Sequence, residues 1–198
     1  FKPKETIDTV SMMYFMNYAI GIIGALLSKF GLPDTSPDFS LNGSLLYNTF
    51  TFISVVVLAP IFEELIFRGM ILQTLSKYNK MFAIVVTSLL FGLLHLNMTQ
   101  AIPAFFMSLI LCYMCLKTDS LLVTILAHAG NNFLALMSAY SNNIMITILV
   151  LSLVIYGLIT VVLKSKEINE FIKEEKTNDN WYARFFKRIP NILYLIFT

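Results

Sequence analysis

"TFISVVVLAPIFEELIFRGMILQ", residues 51–73, decides how the rest of the chain is read. An apolar run of this length is what a helix needs to cross a bilayer, about 20 residues rising 1.5 Å each. Yet Glu63, Glu64 and Arg68 interrupt it. An ionised carboxylate at the bilayer centre costs at least about 2.5 kcal/mol even on lenient insertion scales, so each needs a partner. Arg68 follows Glu64 by four residues and shares its helix face, which permits an ion pair. Glu63 points about 100° away from Glu64 and has to find its partner on another helix.

The remainder of the chain has the same character. Of 198 residues, 57% are hydrophobic and 13% charged, where soluble domains carry about 25% charged residues. With a mean hydropathy of +0.74, this is an integral membrane protein whose surroundings are lipids. Apolar stretches read as six helices, 10–30, 45–73, 81–96, 101–116, 120–137 and 143–163. The expected fold class is therefore all-α, a polytopic transmembrane helical bundle of about six spans. The third and fourth helices, about 16 residues each, tilt little, sit in a thinned bilayer or end inside the protein. Phe1 is not a start methionine and no cleavable signal is visible, so further spans can precede it. A net charge of +2 gives no reason to invoke nucleic acid. Cys112 and Cys115 have CxxC spacing but no second pair, and read as two small buried hydrophobes.

Lysine and arginine set the orientation. Lys2 and Lys4 precede the first helix, Lys77 and Lys80 follow the second, Lys117 the fourth, and seven basic residues from Lys164 to Arg188 follow the sixth. The opposite connections, 31–44, 97–100 and 138–142, contain neither residue, and only Lys29 stands at the edge of the first. Both ends of the chain are thus expected in the cytoplasm. Residues 1–164 read as the helical core, and 165–198 as a cytoplasmic or interfacial amphipathic tail in which Trp, Tyr and Phe mix with Lys and Arg.

Two histidines exist in the chain, His95 in "FGLLH" and His128 in "HAGNN". Glu63 lies 16 residues before the expected turn at Asn79 and His95 16 residues after it, hence both about 24 Å along their helices. From the turn near Asp119, His128 is about 13 Å and Asn132 about 20 Å along the fifth helix. His128 and Asn132, four apart, share one face. Gly69, Gly92 and Gly130 permit close helix approach, and Pro60 should kink the second helix and free a carbonyl near the site. A carboxylate facing a histidine can hold and deprotonate a water. Paired donors opposite can stabilise an oxyanion. Together these describe hydrolysis of a peptide bond inside the membrane. Glu63, His95 and His128 could instead ligate zinc, but the H-E-x-x-H spacing is absent, and a metal-free site without cofactor ranks above it.

The stretches "EELIFR", "FGLLH" and "HAGNN" resemble the EExxxR, FxxxH and HxxxN signatures of the CPBP intramembrane proteases, also called the Abi or CAAX-protease-like family, in the family's order. The resemblance covers Glu63 to Asn132. It implies that Glu63 is the general base acting with His95 on a water, that His128 and Asn132 form the oxyanion site, and that Glu64 and Arg68 support the arrangement. It also implies a membrane-associated peptide or protein precursor as substrate, of the leader or pheromone type or CAAX-like. The short loops and many Lys, Asn, Ile and Phe residues point to a bacterial cytoplasmic membrane. Three other readings stand beside it: the zinc protease, a non-catalytic bacteriocin-immunity or peptide-binding protein, and a transporter with a carboxylate relay, which the lack of repeats weakens.

Overall fold

The structure is a computed structural model and describes residues 2–28, 43–140, 143–176 and 185. Six helices account for them: α1 (Pro3–Ser28), α2 (Leu45–Ser76), α3 (Lys80–Leu93), α4 (Met98–Thr118), α5 (Leu121–Tyr140) and α6 (Ile144–Lys176). No strand occurs among the described residues, and the chain is an all-α helical membrane bundle. By length and composition α2, α4, α5 and α6 are long and apolar enough to cross a membrane. Helix α3 has 14 residues, about 21 Å at 1.5 Å per residue.

The limits of the helices follow local chemistry. Helix α1 starts at Pro3, earlier than its hydropathy suggests, because the first turn needs no N–H from proline. Asn79, Asn97 and Asn143 each turn a side-chain oxygen onto an N–H of the helix that follows, at 2.8, 2.9 and 2.8 Å, covering donors a helix start leaves unpaired. Helix α4 ends where Asp119 adopts a left-handed conformation, φ 48°, which aspartate tolerates better than most residues. Helix α6 carries on past its apolar part through the charged stretch to Lys176.

Helix α2 is not uniform. An α-helical turn, Ala59–Glu64, is bracketed by two segments of wider π-helix, Ile53–Leu58 and Leu65–Leu72. Such segments cluster at functional sites because they re-aim side chains and release backbone groups from the regular ladder.

Helix α4 is the centre of the bundle. Leu111, Cys112, Met114 and Cys115 are fully or nearly fully buried there, and both cysteines are free thiols inside the core, as their apolar setting suggests. Around them pack Met12, Met13 and Tyr14 of α1, Leu72 of α2, Ala83 and Ile84 of α3, Ala127 of α5 and Val150 of α6. Two glycines allow the tightest crossings. A Cβ at Gly157 of α6 would stand 2.0 Å from the Ser11 carbonyl oxygen of α1, and one at Gly92 of α3 would stand 2.8 Å from that of Ala101 in α4. Gly69 and Gly130 leave ordinary room, with nearest atoms at 3.6 Å.

Described basic residues at the start of α1, the end of α4 and the middle of α6 are tied to neighbouring helices. Lys2 donates to the Thr118 carbonyl, Lys117 pairs with Glu167, and Lys164 pairs with buried Asp8 at 3.0 Å. Phe185, the one described residue of the far tail, sets its ring edge-on against Tyr78 and Phe82 at the α2–α3 turn. The rest of the aromatic tail lies outside the described residues.

Candidate active site

Glu63 and Glu64 sit at the end of the short α-helical turn of α2, with Arg68 inside the π segment that follows. The expected ion pair forms: Arg68 Nη1 lies 2.8 Å from Glu64 Oε1, and both side chains are fully buried. Two further groups hold the guanidinium. Nη2 donates to Ser108 Oγ of α4 at 2.7 Å, and the Phe91 ring lies 4.6 Å from the guanidinium carbon.

Helix α5 brings His128 onto this pair. His128 Nδ1 is 2.9 Å from Glu64 Oε1. A carboxylate anchored on an arginine accepts, so Nδ1 carries the hydrogen and Nε2 is directed elsewhere. Nε2 lies 3.8 Å from Glu63 Oε2, and the Glu63 side chain is 27% exposed against 0% for Glu64. The two adjacent carboxylates thus have separate environments. Glu64 is a buried, charge-paired anchor, whereas Glu63 is open on one side and faces an imidazole of fixed orientation. The partner that Glu63 needed on another helix is His128.

His95 takes a different place. It lies just beyond α3, where its Nδ1 bonds the Phe91 carbonyl at 3.0 Å. The carbonyl only accepts, so this ring too is protonated at Nδ1, with Nε2 free as an acceptor. No hydrogen bond or ion pair joins His95 to Glu63 among the described residues. The link is Phe91, whose ring packs edge-on against His95 at 5.3 Å, His128 at 5.9 Å and Phe67 at 5.1 Å.

Asn132, one turn beyond His128, donates Nδ2 to the Val55 carbonyl in the first π segment at 3.0 Å. Neighbouring Asn131 donates to Asn132 Oδ1 at 3.3 Å, and Tyr14 of α1 reaches the Asn131 carbonyl at 3.3 Å. The structure therefore brings Glu63, Glu64, Arg68 and His128 into one contact network, joins His95 to it through an aromatic ring, and ties Asn132 to the backbone of the motif-bearing helix. Among the described residues no three His, Cys, Asp or Glu side chains converge to hold a metal. As placed, Glu63, His95 and His128 do not form a three-ligand set.

Two participants escape a motif-level reading, Ser108 and the Val55 carbonyl, while Phe91 opens the "FGLLH" motif but is given no role by it. A hydroxyl in the middle of apolar α4 is the signal that could have found Ser108, since a polar group at membrane depth needs a partner.

No curated protein and no solved structure matches the chain significantly. Residues 45–134 match the model of the family described as Rce1-like, type II CAAX prenyl endopeptidase. That match spans α2 through most of α5 and contains every contact between the carboxylates, Arg68 and the two histidines. A buried Glu–Arg pair and a second glutamate left open toward an anchored imidazole lie inside this match, so residues 45–134, a little under half of the chain, are similar to the Rce1-like family of type II CAAX prenyl endopeptidases.

Proposed function

We propose that the protein is an intramembrane endopeptidase that hydrolyses a peptide bond in a membrane-associated peptide or protein precursor by means of a glutamate-activated water. One observation carries this reading: half-open Glu63 faces His128 at 3.8 Å, while the far nitrogen of that imidazole is anchored on the buried Glu64–Arg68 pair. A water bound on the open side of Glu63 loses a proton to the carboxylate as it attacks the scissile carbonyl. Glu63 then delivers that proton to the leaving amine, so the cycle returns the base to its starting state.

The surrounding donors serve the oxyanion. In its doubly protonated form His128, held at Nδ1 by Glu64, donates from Nε2 to the side where Glu63 works, and Asn132 retains a second amide hydrogen beside the one given to Val55. His95, with Nε2 an acceptor, serves as a second acceptor for a hydrogen of the attacking water. The favoured substrates are leader- or pheromone-type peptides in a bacterial cytoplasmic membrane, with CAAX-like proteins as the second class, and both described ends of the chain face the cytoplasm. No cofactor is assigned.

The test is cleavage of a panel of membrane-associated peptides by purified protein, beside Glu63→Gln, with and without a chelator. Cleavage by wild type, absent from Glu63→Gln and indifferent to chelator, is the expected result. Activity that survives Glu63→Gln removes Glu63 as the base, and chelator-sensitive activity restored by metal turns the reading to zinc. Peptide binding without cleavage in both proteins supports a peptide-binding immunity role instead.

A further inference from the structure

We infer that Ser108 is a positioning residue for this site: its hydroxyl fixes the plane of the Arg68 guanidinium, and thereby the Glu64 carboxylate and the tautomer that directs His128 Nε2 toward Glu63. The effect on catalysis rests on the proposed protease reading, whereas the effect on the imidazole does not.

The geometry is a relay through three helices. Ser108 of α4 is fully buried and accepts from Arg68 Nη2 at 2.7 Å. Arg68 of α2 gives Nη1 to Glu64 Oε1, the same oxygen that His128 of α5 bonds through Nδ1. Arg68 Nε has no partner, so among the described residues Glu64 and Ser108 are the two hydrogen-bonding acceptors that set how the fork is turned. Phe91 covers its face and limits tilt, but a ring does not choose a rotation within the plane. Because a guanidinium cannot accept, Ser108 must send its own hydrogen elsewhere. The neighbouring sulfur of Cys112 lies 3.8 Å away, and the same sulfur lies 3.8 Å from Ser88 of α3. Ser108 is therefore held from behind while it holds Arg68. Without its hydroxyl the fork has one fixed point, and Glu64 Oε1 is free to swing with it away from His128 Nδ1.

The chain has two histidines, so ring-nitrogen NMR of histidine-labelled protein in micelles needs only His95→Gln to assign His128. In that background the His128 ring is expected in the Nδ1–H tautomer. Ser108→Ala should reduce this form to a minor share, and Ser108→Thr, which keeps the hydroxyl, should restore it. Peptide cleavage, measured with His95 intact, should lose about tenfold to a hundredfold in kcat in Ser108→Ala with KM nearly unchanged, the scale of a small misplacement of reacting groups, and recover in Ser108→Thr. An unchanged His128 tautomer in Ser108→Ala overturns the inference, as does a loss that Ser108→Thr shares in full. If wild type cleaves nothing while the tautomer still shifts and recovers, positioning by Ser108 stands and the protease reading fails.

Discussion

The side chain of Asn132 takes the place of a missing main-chain donor by bonding the carbonyl of Val55 at 3.0 Å. In the π segment the Ala59 N–H reaches back five residues to the Ser54 carbonyl. The same register would pair Val55 with residue 60, which is a proline and has no N–H. The carbonyl that Pro60 was expected to free is thus present, and α5 is fastened to α2 through it.

Pro60→Ala restores the competing N–H. Helical proline costs about 3 kcal/mol relative to alanine, so the variant should unfold at a higher temperature in detergent while cleaving peptide several-fold more slowly, because Asn132 loses its exclusive acceptor. A less stable variant with unaltered cleavage would count against this role for the proline.

Asn132→Ala removes the donor and leaves the Val55 carbonyl unpaired, a loss of about 1–3 kcal/mol in unfolding free energy. Asn132→Asp should be worse, since an ionised carboxylate there meets a carbonyl oxygen with no hydrogen to offer. Denaturant unfolding of the two variants side by side gives the order.

The neighbouring glutamates should respond differently to the same change. Glu63→Gln abolishes cleavage and leaves the unfolding midpoint near wild type, because Glu63 is partly open and its contact with His128, at 3.8 Å, is loose. Glu64→Gln strands the fully buried Arg68, and breaking such a pair from one side costs about 3–5 kcal/mol. Equal stabilities for the two variants would contradict the division of labour between them.

Gly157→Ala and Gly92→Ala force new methyl groups against backbone oxygens at 2.0 and 2.8 Å. Overpacking of a rigid contact costs about 1–3 kcal/mol or more. Gly69→Ala and Gly130→Ala, with 3.6 Å of clearance, should lie close to wild type in the same thermal unfolding series.

Much of this was legible in the residues, for identifiable reasons. Six helices follow from apolar stretches separated by polar clusters, since the lipid admits little else. The Glu64–Arg68 pair follows from i,i+4 spacing in α2, and the shared face of His128 and Asn132 from the same spacing in α5. The depth count sets His95 level with Glu63 and His128 about 11 Å short of it, yet His128 is the ring that meets Glu63, because depth counted in ideal helical rise leaves rotation about each helix axis undetermined. The π segments of α2 change that rotation locally, and apolar side chains alone do not announce them. Ser108 carries no spacing signal because its partner lies 40 residues away. Gly157 resembled any small residue in a span until the main chain of α1 was found against it.

Phe91 has a consequence for proton traffic. Its ring touches both imidazoles edge-on and offers neither a lone pair nor an acidic hydrogen. A proton released at His95 cannot pass to His128 through the protein at that point. It has to travel by way of other polar groups or of solvent, so the exchange of a proton between the two rings depends on what lies around Phe91 and not on Phe91 itself.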